Sequence, residues 1–310
     1  MQFCSCKFFY SCHNMYTNTY TGGDVMSALQ EKDVNIYYQT WVEVKEWLKK
    51  TDTVIVPLGS SEQHGPHLPI GIDSMAGYFV ALEAAKLAEV PIAPLLPYGM
   101  SCFHMRPEEP GTLTLRDSTL FAVLYDIGRS LVYHGFKKVV YVTGHTANAP
   151  TIDRVVRALR YDTGALGVFY AGDTEVFAGL CQDLIDAPDS LPGWHAGEIE
   201  TSGALYFAEE YCHMERAEKK LPYNADWMTG DMEKKDSGSG FRFKYRNYPI
   251  GVGMDQFEYS ETGVMGNPLL ASKEKGKLIY DRMINLFADF LRDLKKVEVE
   301  IHKREFPERV

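Results

Sequence analysis

Three short stretches of this 310-residue chain carry side chains that bind metal ions or move protons. The densest is Glu62-Gln63-His64-Gly65-Pro66-His67, followed by Asp73. Glu62 and His64 are two residues apart, so in an extended segment both side chains project from the same side toward one point. Asp73 returns from the start of the helical stretch that follows. A mixed oxygen and nitrogen set suits zinc, manganese, iron or cobalt better than calcium, and without thiolates it suits a catalytic ion better than a structural zinc knot. The competing reading makes Asp73 an N-cap for a helix beginning at Ser74 and leaves Glu62 and His67 as solvated loop residues.

The second stretch is Thr143-Gly144-His145, with Asn148 three residues on, directly after an apolar run. His145 is expected to face the same crevice; alternatively it is a turn histidine and Asn148 caps the next helix. The third stretch is Gly193-Trp194-His195-Ala196-Gly197-Glu198-Ile199-Glu200. His195 is a candidate proton-transfer group, and Glu198 or Glu200 a candidate ligand. The alternative is that early carboxylates simply answer the helix macrodipole. Ser101, His104, Asn148 and Trp194 are the residues expected to wall a substrate pocket.

These stretches need a frame that brings them together. Thr53 to Leu58 is a β-branched apolar run stopped by Gly59, and it precedes a helical stretch from Ser74 to about Leu87. The pattern recurs: a short strand near Pro91 to Ala93, a helix from Ser118 to His134, a strand from Lys137 to Val142, a helix from Ala149 to Tyr161, a strand from Gly167 to Tyr170, and a helix from about Gly197 to Glu210. Near-continuous apolar strands alternating with helices predict a mainly parallel sheet covered by helices on both faces, an α/β sandwich. Trp41, Val44, Trp47 and Leu48 share one face of an earlier docking helix, and Ala271 to about Val297 reads as a long closing helix. Ligands of such sheets bind outside the carboxyl ends of the strands, where all three stretches begin or converge.

The expected organisation is a flexible leader over residues 1–35, one α/β domain over 36–297 with a loop-rich insertion at 221–266, and a charged tail over 298–310. With 45% hydrophobic residues the chain can bury a large core. A net charge of −10 with scattered Lys and Arg gives no footprint for nucleic acid or an anionic membrane, so a small-molecule substrate is expected. No apolar run is long enough to cross a bilayer. Of the six cysteines, Cys102, Cys181 and Cys212 are isolated, and Cys4, Cys6 and Cys12 match no zinc pattern. Reduced thiols and a cytoplasmic protein are expected. No Gly-x-x-x-x-Gly-Lys phosphate loop or Gly-x-Ser-x-Gly elbow occurs.

From Val54 to Lys295 the chain resembles the creatininase family of metal-dependent hydrolases. The resemblance rests on Glu62-Gln63-His64-Gly65-Pro66-His67 with Asp73, on Gly144-His145 with Asn148, and on His195-Ala196-Gly197-Glu198 with Glu200, Thr201 and Ser202, in that order. It implies that Glu62, Asp73 and His145 hold one divalent ion (zinc, manganese or iron), that His64, Asp73 and a further carboxylate hold a second, and that Asp73 bridges them. In creatininase the further carboxylate lies two residues after the histidine of the Gly-His motif, where this chain has Ala147. Glu198 or Glu200 is left to supply it. The resemblance also implies a homo-oligomer, often a hexamer. It implies an amidohydrolase-like activity in which activated water opens a small cyclic amide or cleaves a formamide C–N bond, with His195 protonating the leaving group. Two other readings are a ring-opening hydrolase of an inositol-derived cyclic ketone, and a non-catalytic metal- or sugar-binding protein.

Overall fold

Strand β1 (Thr53–Leu58) pairs in parallel with β2 (Lys138–Thr143), and β2 with β3 (Leu166–Tyr170). Every residue of β1 and β2 is buried, as expected of strands whose central residues are all apolar and which are covered on both sides. The register runs from Thr53 opposite Lys138 to Leu58 opposite Thr143. The two strands therefore end level, and the loops that leave them start side by side. The computed structural model describes residues 28–170, 180–186, 195–234 and 242–306. The leader up to residue 27, with Cys4, Cys6 and Cys12, and the expected pocket residue Trp194 lie outside them.

Alternation along the strands feeds two cores. Ile55, Val140 and Val142 pack against α3 (Ile72–Ala88) and α7 (Lys273–Leu294), with Ile199 of α6 (Glu198–Phe207) beside them. Val54, Val56, Leu58, Val139 and Tyr141 face the other way, onto α4 (Asp117–His134) and α5 (Ala149–Thr163). This is the expected α/β arrangement of a parallel sheet between helical layers. The helix ends follow local chemistry: Ser272 accepts from the Lys275 amide at the start of α7, and α4 and α5 stop at Gly135 and Gly164, both at positive φ. Two shorter helices precede the sheet, α1 (Glu31–Val34) and α2 (Trp41–Lys50), the latter closed by a Thr40–Glu43 capping box.

Several expectations are corrected. The strand near Pro91 to Ala93 is reduced to isolated bridges of Ile92 with Ile55 and Asn35, because Pro91, Pro94 and Pro97 cannot donate to a ladder. In α2 only Trp47 is buried, whereas Trp41 is 76% exposed. The leader boundary at residue 35 falls inside ordered structure: Val34 is fully buried and the Asn35 side chain donates to Tyr78. The 221–266 region is not all loop, since β4 (Met232–Glu233), β5 (Arg242–Tyr245) and β6 (Tyr248–Gly251) form a small antiparallel sheet. Its two-residue turn places Arg246 and Asn247 at φ 48° and 70°, the left-handed pair of a type I′ hairpin. The tail after residue 297 folds back, with Ile301 packed on the α4–α5 core and the His302 amide bonded to the Thr163 carbonyl. No described helix is long and apolar enough to cross a membrane.

Candidate metal centre

The loop after β1 is pinned by the Glu62 amide, which donates to the Ile70 carbonyl, and by Ser60, whose hydroxyl donates to Glu62 Oε2 at 2.7 Å. Asp73 sits in the first turn of α3. That turn can lie against the loop after β2 only because residue 144 is glycine: a Cβ there would stand 2.1 Å from the Asp73 carbonyl oxygen. Asp73 is not an N-cap, since α3 already begins at Ile72 and the Asp73 carboxylate points into the cluster.

His145 Nε2 lies 3.1 Å from the Met100 carbonyl and 3.3 Å from Ser101 Oγ. The carbonyl can only accept, so Nε2 carries a proton, and Nδ1 is the nitrogen turned to the carboxylates. That Nδ1 stands 3.2 Å from Glu62 Oε2 and 3.0 Å from Asp73 Oδ2. His64 Nδ1 faces the Glu62 carbonyl at 3.3 Å, which leaves its Nε2 turned to Asp73 Oδ1 at 3.1 Å and Glu200 Oε2 at 3.7 Å. Ligand atoms around a tetrahedral zinc lie roughly 3.3 Å apart, given bonds of about 2.0–2.1 Å. Asp73 thus turns one oxygen to each histidine. Two groups, Glu62–Asp73–His145 and His64–Asp73–Glu200, have the spacing of ligand shells.

The donor set fits a cation on electrostatic grounds. Glu62 and Asp73 are buried side by side, and both turn an oxygen to His145 Nδ1. Such an arrangement is repulsive unless positive charge lies between the groups. Burial alone would push the Glu62 carboxyl up, but the His104 and His145 imidazoles hold it well below the usual carboxylate range. Burial likewise works against a charged His64, yet the Asp73 carboxylate and its hydrogen bond raise it to about 10.

Other expected site residues are placed differently. Glu198 turns away, with Oε1 held by the Lys275 ammonium and by the Asp186 amide at 2.9 Å. Ala147 is buried and offers no ligand. Asn148 neither caps α5 nor faces a cavity: its side chain accepts from the Met100 amide and donates to the Gly59 carbonyl and Thr143 Oγ1, tying three site loops together. Ser101 is fully buried behind His145, contacting Ser60. His104 and His195 do enter the site, with Nε2 atoms 3.1 and 3.5 Å from Glu62 Oε1. Their outer nitrogens are held by Gln256 and by the Gly263 carbonyl. Those two holding groups carry no signal in the sequence, because they come from an aperiodic segment more than sixty residues away from either histidine.

His67 lies outside the ligand groups, with Nε2 at 3.0 Å from Thr201 Oγ1. Burial first, then the neighbouring His64 and His195, depress it to about 4. The folded value lies below the unfolded one, so the unfolded chain takes up this proton first; the stabilisation is complete above about pH 6.5 and is lost as pH falls toward 4. Between pH 7 and pH 5 this residue is expected to account for about 2 kcal/mol of lost stability. Urea midpoints at the two pH values should therefore converge in His67→Gln relative to the parent; equal pH sensitivity in both proteins would refute the assignment.

A family model described as creatininase, creatinine amidohydrolase, matches residues 37–291. The chain belongs to the creatininase family. Among similar proteins, the 3-dehydro-scyllo-inosose hydrolase of Thermotoga maritima is 25% identical over 270 residues, covering 85% of each chain. A mycofactocin precursor peptide peptidase of Mycobacterium tuberculosis is 29% identical over 75% of this chain and 82% of its own. Creatinine amidohydrolase of Pseudomonas putida is 26% identical over 84% of this chain and 97% of its own. Two solved creatininases, one a mutant described as Zn-Zn type and one a manganese form, superpose with TM-scores of 0.64 and 0.63 at 24% identity. Each of these alignments covers 85% of this chain, and they cover 98% and 99% of the solved chains. The protein is accordingly an enzyme, a creatininase-family hydrolase.

Proposed function

We propose that the protein is a dinuclear metal-dependent amidohydrolase that opens a small cyclic amide or cleaves a formamide C–N bond. The observation that carries this reading is Asp73, whose two oxygens face His64 and His145 separately while Glu200 and Glu62 complete the two groups. Divalent ions bound there, zinc, manganese or iron, would supply Lewis acidity and lower the pKa of a water. The chain's own residues do the rest. Glu62, Asp73 and Glu200 balance the cationic charge, and the hydrogen bonds from Ser60 to Glu62 and from the Ala196 amide to Glu200 fix their orientation. His195 Nε2 is buried in the site with no hydrogen-bond partner, and the ring is stacked on His64 at 4.1 Å. It is placed to take the water's proton as oxygen adds to the carbonyl carbon and to pass it to the departing nitrogen as the C–N bond breaks.

The likeness to the inosose hydrolase over 85% of both chains favours, as a second reading, ring opening of a cyclic ketone from inositol catabolism, where the same proton would go to carbon. A non-catalytic metal- or sugar-binding role is ranked below both. Chelation should lower turnover on the true substrate by at least about 100-fold. Zinc, manganese or iron should restore it, and a panel of creatinine, a formamidopyrimidine and a dehydro-inosose assigns the bond. Full turnover by metal-free protein would sink the metal reading. Homo-oligomerisation, a hexamer by resemblance, is part of the same proposal and gives the exposed Tyr37, Tyr38 and Trp41 a partner surface. Light scattering at assay concentration should give a multiple of the 35.1 kDa chain; a monomer mass would overturn it.

A further inference from the structure

The tautomers of His104 and His195 can be read from the backbone outward. The Gly65 amide donates to Gln63 Oε1, so the other end of Gln63 is its amide nitrogen, and that nitrogen donates to Gln256 Oε1. Gln256 Nε2 in turn donates to the Gly263 carbonyl at 3.3 Å. Backbone groups therefore fix both glutamines, and neither can be flipped without setting donor against donor and acceptor against acceptor. His104 Nδ1 lies 2.6 Å from Gln256 Oε1 and His195 Nδ1 lies 2.5 Å from the Gly263 carbonyl. Both facing atoms are acceptors, so both imidazoles carry their proton on Nδ1.

The inner nitrogens are then the ones left to take a ligand. His104 Nε2 and His195 Nε2 stand 3.1 and 3.5 Å from one oxygen, Glu62 Oε1, and the rings are stacked 4.6 Å apart. All three residues are buried, and His195 Nε2 has no hydrogen-bond partner. Two imidazole nitrogens and a carboxylate oxygen converge on one point, with spacing that suits a shared ion. Each imidazole is oriented through its outer N–H by an acceptor, the outer arrangement that metal-bound histidines almost always have. Glu62 has a second oxygen to spare, because Oε2 is the atom turned to His145.

We infer that Glu62 Oε1, His104 and His195 form a third cation site for a zinc-like divalent transition ion, separate from the two groups that share Asp73. A His, His, Glu set with ligand atoms 3.1–3.5 Å from the shared oxygen suits tetrahedral coordination with one open position, and does not suit the six to eight oxygens of calcium. Occupation has a functional consequence. An ion here takes the His195 lone pair that the proposed reaction uses for proton transfer, so the third ion inhibits, and turnover falls again at excess metal. The inference rests on the dinuclear reading only through the shared Glu62.

Equilibrium dialysis against rising zinc concentration, with bound metal counted by mass spectrometry, tests it on the full chain and on His104→Gln. The parent should reach three equivalents per chain and the variant two. Two in both proteins overturns the third site and leaves the dinuclear reading standing. Three in both places the extra ion elsewhere and also overturns it, while fewer than two in the parent defeats both readings. Should His104→Gln fail to fold, zinc-soaked crystals of the parent decide: an anomalous peak among Glu62, His104 and His195 is expected. Peaks only beside Asp73 would refute the site.

Discussion

Asp73→Asn is expected to lower kcat/KM by roughly 1000-fold, because losing several kcal/mol of metal-derived stabilisation costs a factor of ten for every 1.36 kcal/mol. The substitution keeps the shape of the side chain and removes its charge. One oxygen of Asp73 faces Nδ1 of His145 and the other faces His64. An amide offers only one acceptor, and its NH2 end points hydrogens at whichever cation it meets. The competing role, capping the following helix, makes the opposite prediction, since Asn caps as well as Asp and stability would barely change. Kinetics, metal content and thermal unfolding on the same variant separate the two. Near-parental turnover with both metals retained would rule out a bridging carboxylate.

The second large effect is a split between neighbours on α6. Glu200→Ala should release one metal equivalent and most activity while leaving the fold intact, because Glu200 stands 3.7 Å from His64 and accepts from the Ala196 amide of its own helix start. Glu198→Ala should do the reverse, keeping both metals and costing stability. Its carboxylate is buried against Lys275, whose ammonium also reaches Asp186 and the Leu270 carbonyl. Breaking a buried pair costs about 3–5 kcal/mol when the survivor has no other partner; here Lys275 keeps two, so about 1–3 kcal/mol is expected. Metal counting and urea titration on the two variants give four numbers, and an exchange of the two phenotypes would show that the wrong glutamate has been placed in the centre.

The parallel sheet and its helices were legible because β1, β2 and β3 are apolar runs too short for helices and separated by helical periodicity. Glu62, His64, Asp73 and His145 could be read as one group because their stretches follow apolar strand-like runs, and the structure brings their ligand atoms close together. The choice between Glu198 and Glu200 was not. Both lie in one turn of one helix, and only the direction in which that turn faces the strands, a property of tertiary packing, separates them. Ser101 and Asn148 were chosen as polar residues near the site, but sequence does not show that their hydrogen bonds go to neighbouring loops. The β5–β6 hairpin was missed because Arg246 holds the first left-handed turn position, where Asn or Gly would have announced it. The hold of Gln256 and Gly263 on the two inner histidines is a contact across the whole fold.

The folded-back C-terminal segment has a practical corollary. Arg129 is fully enclosed, with one nitrogen donating to the Glu305 carbonyl, another 3.1 Å from Asp162, and the Phe306 ring 5.9 Å from its guanidinium carbon. Clipping the last dozen residues would strip the cover from a permanent charge and uncap the grease beneath Ile301.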